Sequence, residues 1–264
     1  MALMLAVFFW AVGVVTVLIF AGHVWWLPEL VSVEGAAMDQ QFVLTLCVAG
    51  ATFFLAQVGL GSLIWRYRAR GTERAEHWHE SPKLEMTWTV VTAIVFIGLG
   101  IQGSRLWADY FLYEAPKNVL MVEVTAQQFV WNIRYAGPDG RFGRTDPKLI
   151  NDAQVNYIGL DAKDPASRDD VLTQNLMAVP VNRPVQVILR TKDVTHSFFV
   201  PPLRVKQDAV PGMAIRVHFT ATKEGQYEIA CAELCGMQHY KMRGLLLVMP
   251  DADYQAWLKQ RAGL

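Results

Sequence analysis

The sequence predicts a membrane α-helical anchor followed by an all-β domain, a sandwich or barrel. Three observations point there. Three apolar runs of about 20 residues or more fill the first 112 positions, long enough to cross hydrocarbon as helices. From Lys117 onward the pattern turns into short strands punctuated by Pro and Gly. Hydrophobic residues make up 53% of the 264, above the share a soluble domain usually carries.

The first run, about residues 3–27, has no Lys, Arg, Asp or Glu. It lacks the basic n-region of a secretory signal and is longer than a typical h-region, so it reads as a retained helix rather than a cleaved leader. The second, about 41–65, is uncharged; the third, about 86–112, has Arg105 and Asp109 only near its end. Backbone groups in lipid must be paired within the segment, so each run is a helix. The loop between the second and third runs, 66–85, holds Arg66, Arg68, Arg70, Arg74 and Lys83, whereas the 28–41 loop has no Lys or Arg. The positive-inside rule therefore puts 66–85 in the cytoplasm and delivers everything beyond the third helix to the other side. Trp25, Trp26, Trp65, Trp88 and Trp107 fall near helix ends, where an interfacial belt belongs. His77, Trp78 and His79 in the cytoplasmic loop read as solvated or interfacial. The anchor is residues 1–113 and the extracytoplasmic domain 114–264.

Within the second part, strands are expected at 119–125, 128–135, 185–191, 196–200, 214–220, 225–230 and 243–249, with a turn at 137–140. Asp251 to Arg261 reads as a terminal helix with Asp251 at its N-cap and Gly263 at its stop. The polar stretch 138–172 is an insertion, either solvated or a docking surface. Formal net charge is +0, which excludes a basic nucleic-acid footprint. Of three cysteines, Cys47 sits in an apolar run as a small hydrophobe, and Cys231 and Cys235 share one loop. His218 stands alone in a strand and reads as a satisfied histidine.

That loop, Cys231 to Met242, brings two thiols, His239 and a thioether together; His196 lies upstream in Asp193-Val194-Thr195-His196-Ser197-Phe198. These donors suit copper or zinc, not magnesium or calcium. Four arrangements are open. A disulfide would leave both imidazoles and Met242 unexplained. Structural zinc would take Cys₂His₂ and leave the thioether over. Mononuclear blue copper needs one Cys, two His and a weak Met, and leaves a thiolate over. Two thiolates bridging two copper ions would use them all, with His196 and His239 terminal, Met242 weak, and a carbonyl between the cysteines, that of Glu233, as the last donor. Such a centre suits electron transfer and has no open position for substrate.

The pattern Cys-x-Glu-x-Cys-x-x-x-His-x-x-Met, the Asp-Val-x-His-Ser-Phe upstream, and Lys206-Gln207-Asp208-Ala209-Val210-Pro211-Gly212 resemble subunit II of the haem–copper cytochrome c oxidases. The resemblance covers most of residues 40–255. It implies a cupredoxin-like Greek-key β-sandwich carrying copper A, two copper ions held by His196, Cys231, the Glu233 carbonyl, Cys235, His239 and Met242. It implies electrons accepted from cytochrome c or an equivalent donor and passed to haem in subunit I, where oxygen reduction drives proton translocation. It further implies that the Glu233 carboxylate binds magnesium at the subunit I interface, and that Glu85, in Leu84-Glu85-Met86-Thr87-Trp88, stands at the mouth of a proton pathway; an ordinary N-terminal helix carboxylate is the plainer alternative there. The implied location is a bacterial cytoplasmic membrane, among other membrane subunits and lipid. A nitric oxide reductase with the same copper subunit and a copper-handling protein are the alternatives.

Four departures from the family stand out. The helix at 3–27 is additional to the family's two. Where the family has Trp-Tyr-Trp at the point of electron input, this chain has Phe129, Val130 and Trp131. No acidic stripe marks residues 113–264 for a basic donor. Thr92, where the family often has Pro, is a structural change only.

Overall fold

The structure, a computed structural model, describes residues 1–24, 26–71, 74, 79–112, 118–137 and 139–262. Trp25, His77, Trp78, Pro138, Gly263 and the 113/114 boundary lie outside these. The chain forms two units, residues 1–27 with 37–108, and 28–36 with 109–264.

In the first unit, α1 (Ala2–Ala21), α2 (Gly35–Arg66) and α3 (Pro82–Phe111) are long and apolar enough to cross a membrane. α1 stops six residues before the expected end, because Gly22 caps it and His23 follows with φ 51°. α2 starts earlier than expected, since the Ser32 hydroxyl accepts from the Gly35 N–H and opens the helix upstream of the apolar run. α3 starts at Pro82, a residue preorganised for the first helical position.

The second unit is a sandwich of two five-stranded sheets. The strands are β1 (Leu120–Gln127), β2 (Val130–Tyr135), β3 (Val171–Gln174), β4 (Leu176–Pro180), β5 (Pro184–Thr191), β6 (His196–Val200), β7 (Val205–Ala209), β8 (Ile215–Thr220), β9 (Gly225–Cys231) and β10 (Arg243–Met249). One sheet runs β3-β2-β1-β5-β8, the other β4-β10-β9-β6-β7. The β1–β5 and β4–β10 pairs are parallel and the remainder antiparallel. The expected cupredoxin-like sandwich is the one observed. Val122, Val124, Ile133, Val187, Leu189 and Phe219 of the first sheet are buried with Phe198, Val200, Ile229 and Leu246 of the second. The terminal helix α4 (Asp251–Ala262) starts at Asp251, directly after Pro250, and lays Trp257 edge-on to Tyr135.

Two features differ from the sequence expectation. Segment 28–36 is not a free loop but a strap on the sandwich. Val31 donates to Pro202 O and Val33 to Thr220 O, and the Glu34 carboxylate accepts from Thr220 N and Oγ1. Beside it, the Tyr110 hydroxyl donates to His218 O and its ring lies 4.7 Å from the buried His218 imidazole. The second feature is the 138–172 insertion, whose end, Val171 and Leu172, belongs to β3. Its turns are capped by Asp146, Asn151 and Asp164. It covers the outer face of the first sheet, where Arg134 donates to Gly143 O and pairs with Glu123 at 2.8 Å and Asp170 at 3.2 Å.

Arg134 and Glu123 are both nearly inaccessible, at 3% and 5% exposure. Glu123→Ala takes away the closest carboxylate of the buried Arg134 guanidinium but leaves it Asp170 and the Gly143 carbonyl. The loss of that charged hydrogen bond is expected to destabilise the β unit by about 1.5–3 kcal/mol, lowering its thermal midpoint by roughly 5–10 °C. Near-UV circular dichroism of the full chain in detergent measures this; an unchanged midpoint would show that water reaches the guanidinium.

Candidate metal centre

The site is assembled by strand pairing. β6 runs antiparallel to β9 with Phe198 opposite Cys231. His196, two residues from Phe198 and therefore on the same face, lies beside Cys231 although 35 positions separate them in sequence. β9 runs antiparallel to β10, so the end of β9, the start of β6 and the start of β10 share one edge of the sandwich. The loop leaving β9 folds back onto that edge. The Ala232 N–H donates to Ser197 O, the Cys231 N–H to Met242 O and the Met242 N–H to His239 O.

All six expected donors converge there. The two Sγ atoms are 3.9 Å apart. His196 Nδ1 is 3.9 Å from Cys231 Sγ, and His239 Nδ1 is 3.7 Å from Cys235 Sγ. Met242 Sδ lies 3.8 Å from Cys235 Sγ and the Glu233 carbonyl oxygen 3.2 Å from Cys231 Sγ. His196, Cys231 and Cys235 form the one cluster among the described residues whose nitrogen and sulfur donors sit close enough together for a metal ion. The thiols stand almost twice a disulfide length apart, which leaves them as separate ligands. The donor set of two sulfurs, two imidazoles, a thioether and a carbonyl fits a soft-to-borderline metal.

The electrostatics are asymmetric. Burial raises the Cys231 thiol, but hydrogen bonds from His196 and from neighbouring groups outweigh it and bring it down to about 6. Burial and then the Cys231 charge push Cys235 up to about 11. At neutral pH and without metal the loop thus offers one thiolate and one thiol, and a bound cation displaces the second proton.

Two residues support the donors that sequence reasoning had not assigned. The Asp193 carboxylate hydrogen-bonds His196 Nε2 at 2.8 Å, leaving Nδ1 to face the sulfurs, and accepts from the Gln128 N–H at 2.7 Å. The Gln128 side-chain amide donates to Cys235 O, tying the β1–β2 turn to the loop. Asp193 stood in view within the Asp-x-x-His pattern; Gln128 carried no local signal. Gly236, at φ 143°, lets the loop approach, since a Cβ there would come within 2.8 Å of Gln128 Nε2 and 3.1 Å of the Phe129 ring. Phe129 is therefore half-buried against the loop, whereas Trp131 is fully buried, edge-on to His196 with centroids 6.2 Å apart. The Glu233 side chain is exposed while its carbonyl points inward. Glu85 is in the other unit, exposed in the first turn of α3.

Residues 120–248 match the family of cytochrome C oxidase subunit II, periplasmic domain. The alternative cytochrome c oxidase subunit 2 of Bradyrhizobium diazoefficiens is 32% identical over 260 residues, 95% of this chain and 92% of the relative. Cytochrome c oxidase subunit 2 of Cereibacter sphaeroides is 32% identical over 238 residues, 84% of this chain and 74% of its own. That of Thermostichus vulcanus is 28% identical, with 90% and 79% covered.

Residues that orient a metal-bound imidazole commonly change affinity by 10–100-fold when lost. Asp193→Ala is expected to weaken metal binding by about that factor in chelator competition, with Asp193→Asn weaker in effect because the amide still fills the gap. Unchanged affinity in Asp193→Ala would separate Asp193 from the site.

Proposed function

The chain belongs to the cytochrome c oxidase subunit II family, and from that membership we propose that it is the electron-input subunit of a haem–copper oxidase in a bacterial cytoplasmic membrane. The observation that carries the reading is the convergence of two unlinked thiols, two imidazoles, a thioether and a carbonyl on one edge of an extracytoplasmic sandwich. His196, Cys231, the Glu233 carbonyl, Cys235, His239 and Met242 would hold two copper ions as a copper A centre, whose chemistry is one-electron exchange.

What the chain itself supplies is rigidity and a direction. Five of the six donors lie in twelve consecutive residues, and the sixth is fixed to them by the β6–β9 pairing. Asp193 and Trp131 hold the His196 ring from its far side and its edge. With ligands that cannot relax, little nuclear rearrangement accompanies oxidation or reduction. The exposed Glu233 carboxylate, a hard oxygen donor, suits a magnesium ion shared with subunit I. Glu85 sits at the cytoplasmic start of α3, where a proton-collecting carboxylate for that subunit belongs. Electrons would come from cytochrome c or an equivalent donor and leave to haem in subunit I. The input role falls to Phe129, which borders the loop near the surface; buried Trp131 braces His196 instead. Relatives named as oxidase subunits favour oxygen over nitric oxide as the final acceptor.

The full chain is expected to bind two copper ions and to show one electron shared between them by electron paramagnetic resonance. Cys231→Ser and Cys235→Ser should each abolish that signal. One copper per chain, or a localised Cu(II) spectrum, would overturn the reading.

In the assembled oxidase, Phe129→Ala should slow turnover with reduced donor about tenfold or more while leaving the copper spectrum intact. Trp131→Phe should shift the spectrum more than the donor kinetics. The reverse pattern would return the input role to Trp131.

A further inference from the structure

The additional helix α1 packs against α2, and small residues set the contact. A Cβ at Gly61 would lie 2.6 Å from Trp10 Nε1, and one at Gly13 would lie 3.3 Å from the Phe54 ring. The Trp10 indole N–H donates to Val58 O at 3.3 Å. The helices are antiparallel, so Trp10 faces the cytoplasmic half of α2. Here an open groove of about 640 Å³ runs along them. Trp10, Leu63, Trp65 and Tyr67 form its walls, and Ser62 and Arg66 are its polar members.

The groove is graded. Its inner part is apolar at the level of Trp10 and Leu63, and its outer part reaches the basic end of α2. Among the described residues no carboxylate lines it. The last carbonyls of α2 repel an anion, but Arg68 covers one by donating to Trp65 O and stacks over the Trp65 ring at 3.5 Å. Arg66 lies 5.8 Å from the Tyr67 ring and forms no ion pair among the described residues. The Lys and Arg bias places this end in the cytoplasmic leaflet, which carries the anionic lipids. We infer that the α1–α2 groove binds one anionic phospholipid, its acyl chain against Trp10 and Leu63 and its phosphate on Arg66. An amphipathic wall with the Arg66 guanidinium at the headgroup level complements an acidic lipid; a zwitterionic lipid brings a choline that the arginines repel. The extra helix thereby serves as one wall of a lipid site. This goes beyond the copper function and does not depend on it.

The test is lipid titration of the full chain, stripped of lipid in detergent, by native mass spectrometry. Dioleoylphosphatidylglycerol is compared with dioleoylphosphatidylcholine. Phosphatidylglycerol is expected to bind about fivefold tighter, the effect of one arginine near the surface. Arg66→Gln should remove that preference, Arg66→Lys should keep most of it, and Leu63→Trp should fill the groove and weaken both lipids. Arg105→Gln, at the far end of α3, should change nothing. Equal binding of the two lipids, a preference that survives Arg66→Gln, or full binding in Leu63→Trp overturns the proposal. So does loss of phosphatidylglycerol on purification with the partner subunits, which would mean that a partner helix fills the groove.

Discussion

The pairing of β6 with β9 is the constraint on which the metal centre depends. It sets Phe198 opposite Cys231 and thereby puts His196 beside a thiol that is 35 residues away. A one-residue slip would turn His196 to the opposite face. The register is held by burial on both sides of the contact: Phe198, Val200 and Ile229 are all inaccessible. The hydrophobic core of the second sheet thus fixes an imidazole to within hydrogen-bonding precision, which no loop could do by itself.

The remaining donors depend on the loop, and the loop is pinned from outside as well as within. Gln128 and Asp193 reach it from the β1–β2 turn and from the start of β6, and each makes bonds that only the folded chain can make. Within the loop, the hydrogen bond with His196 favours Cys231 as thiolate, while burial and the Cys231 charge favour Cys235 as thiol. Ligands held by a fold in this way keep the cost of ordering them out of the binding step.

Much of the site was legible in the sequence because its donors are close in sequence and chemically unusual. Two cysteines, a histidine and a methionine within twelve positions leave few alternatives, and the strand-borne His196 sat in an alternating run. The supporting hydrogen bonds were not legible, since Gln128 meets Cys235 only across 107 positions. The fold shows the same division. The long apolar helices and the alternating strands were readable from local pattern. β7 was not, because Lys206, Gln207 and Asp208 interrupt any apolar alternation at that sheet edge. β4 was hidden by Pro180, which reads as a breaker yet closes a parallel pair with Met249. The strap at 28–36 had no local signature at all. Its partners, Pro202, Thr220 and Ala221, are almost two hundred residues away.

The strap bears on solubility. β8 is the outer strand of its sheet, and an unprotected outer strand is a template for pairing with another molecule. Val33 and Ser32 occupy the polar groups at the Thr220–Ala221 end of that strand, so the chain answers its own edge with a segment borrowed from between α1 and α2. A protein trimmed to begin after α3 would lose this cover along with its anchor. Freed from the membrane, the β unit would carry an open edge at Thr220 and Ala221, and copies of it would be prone to aggregate edge to edge.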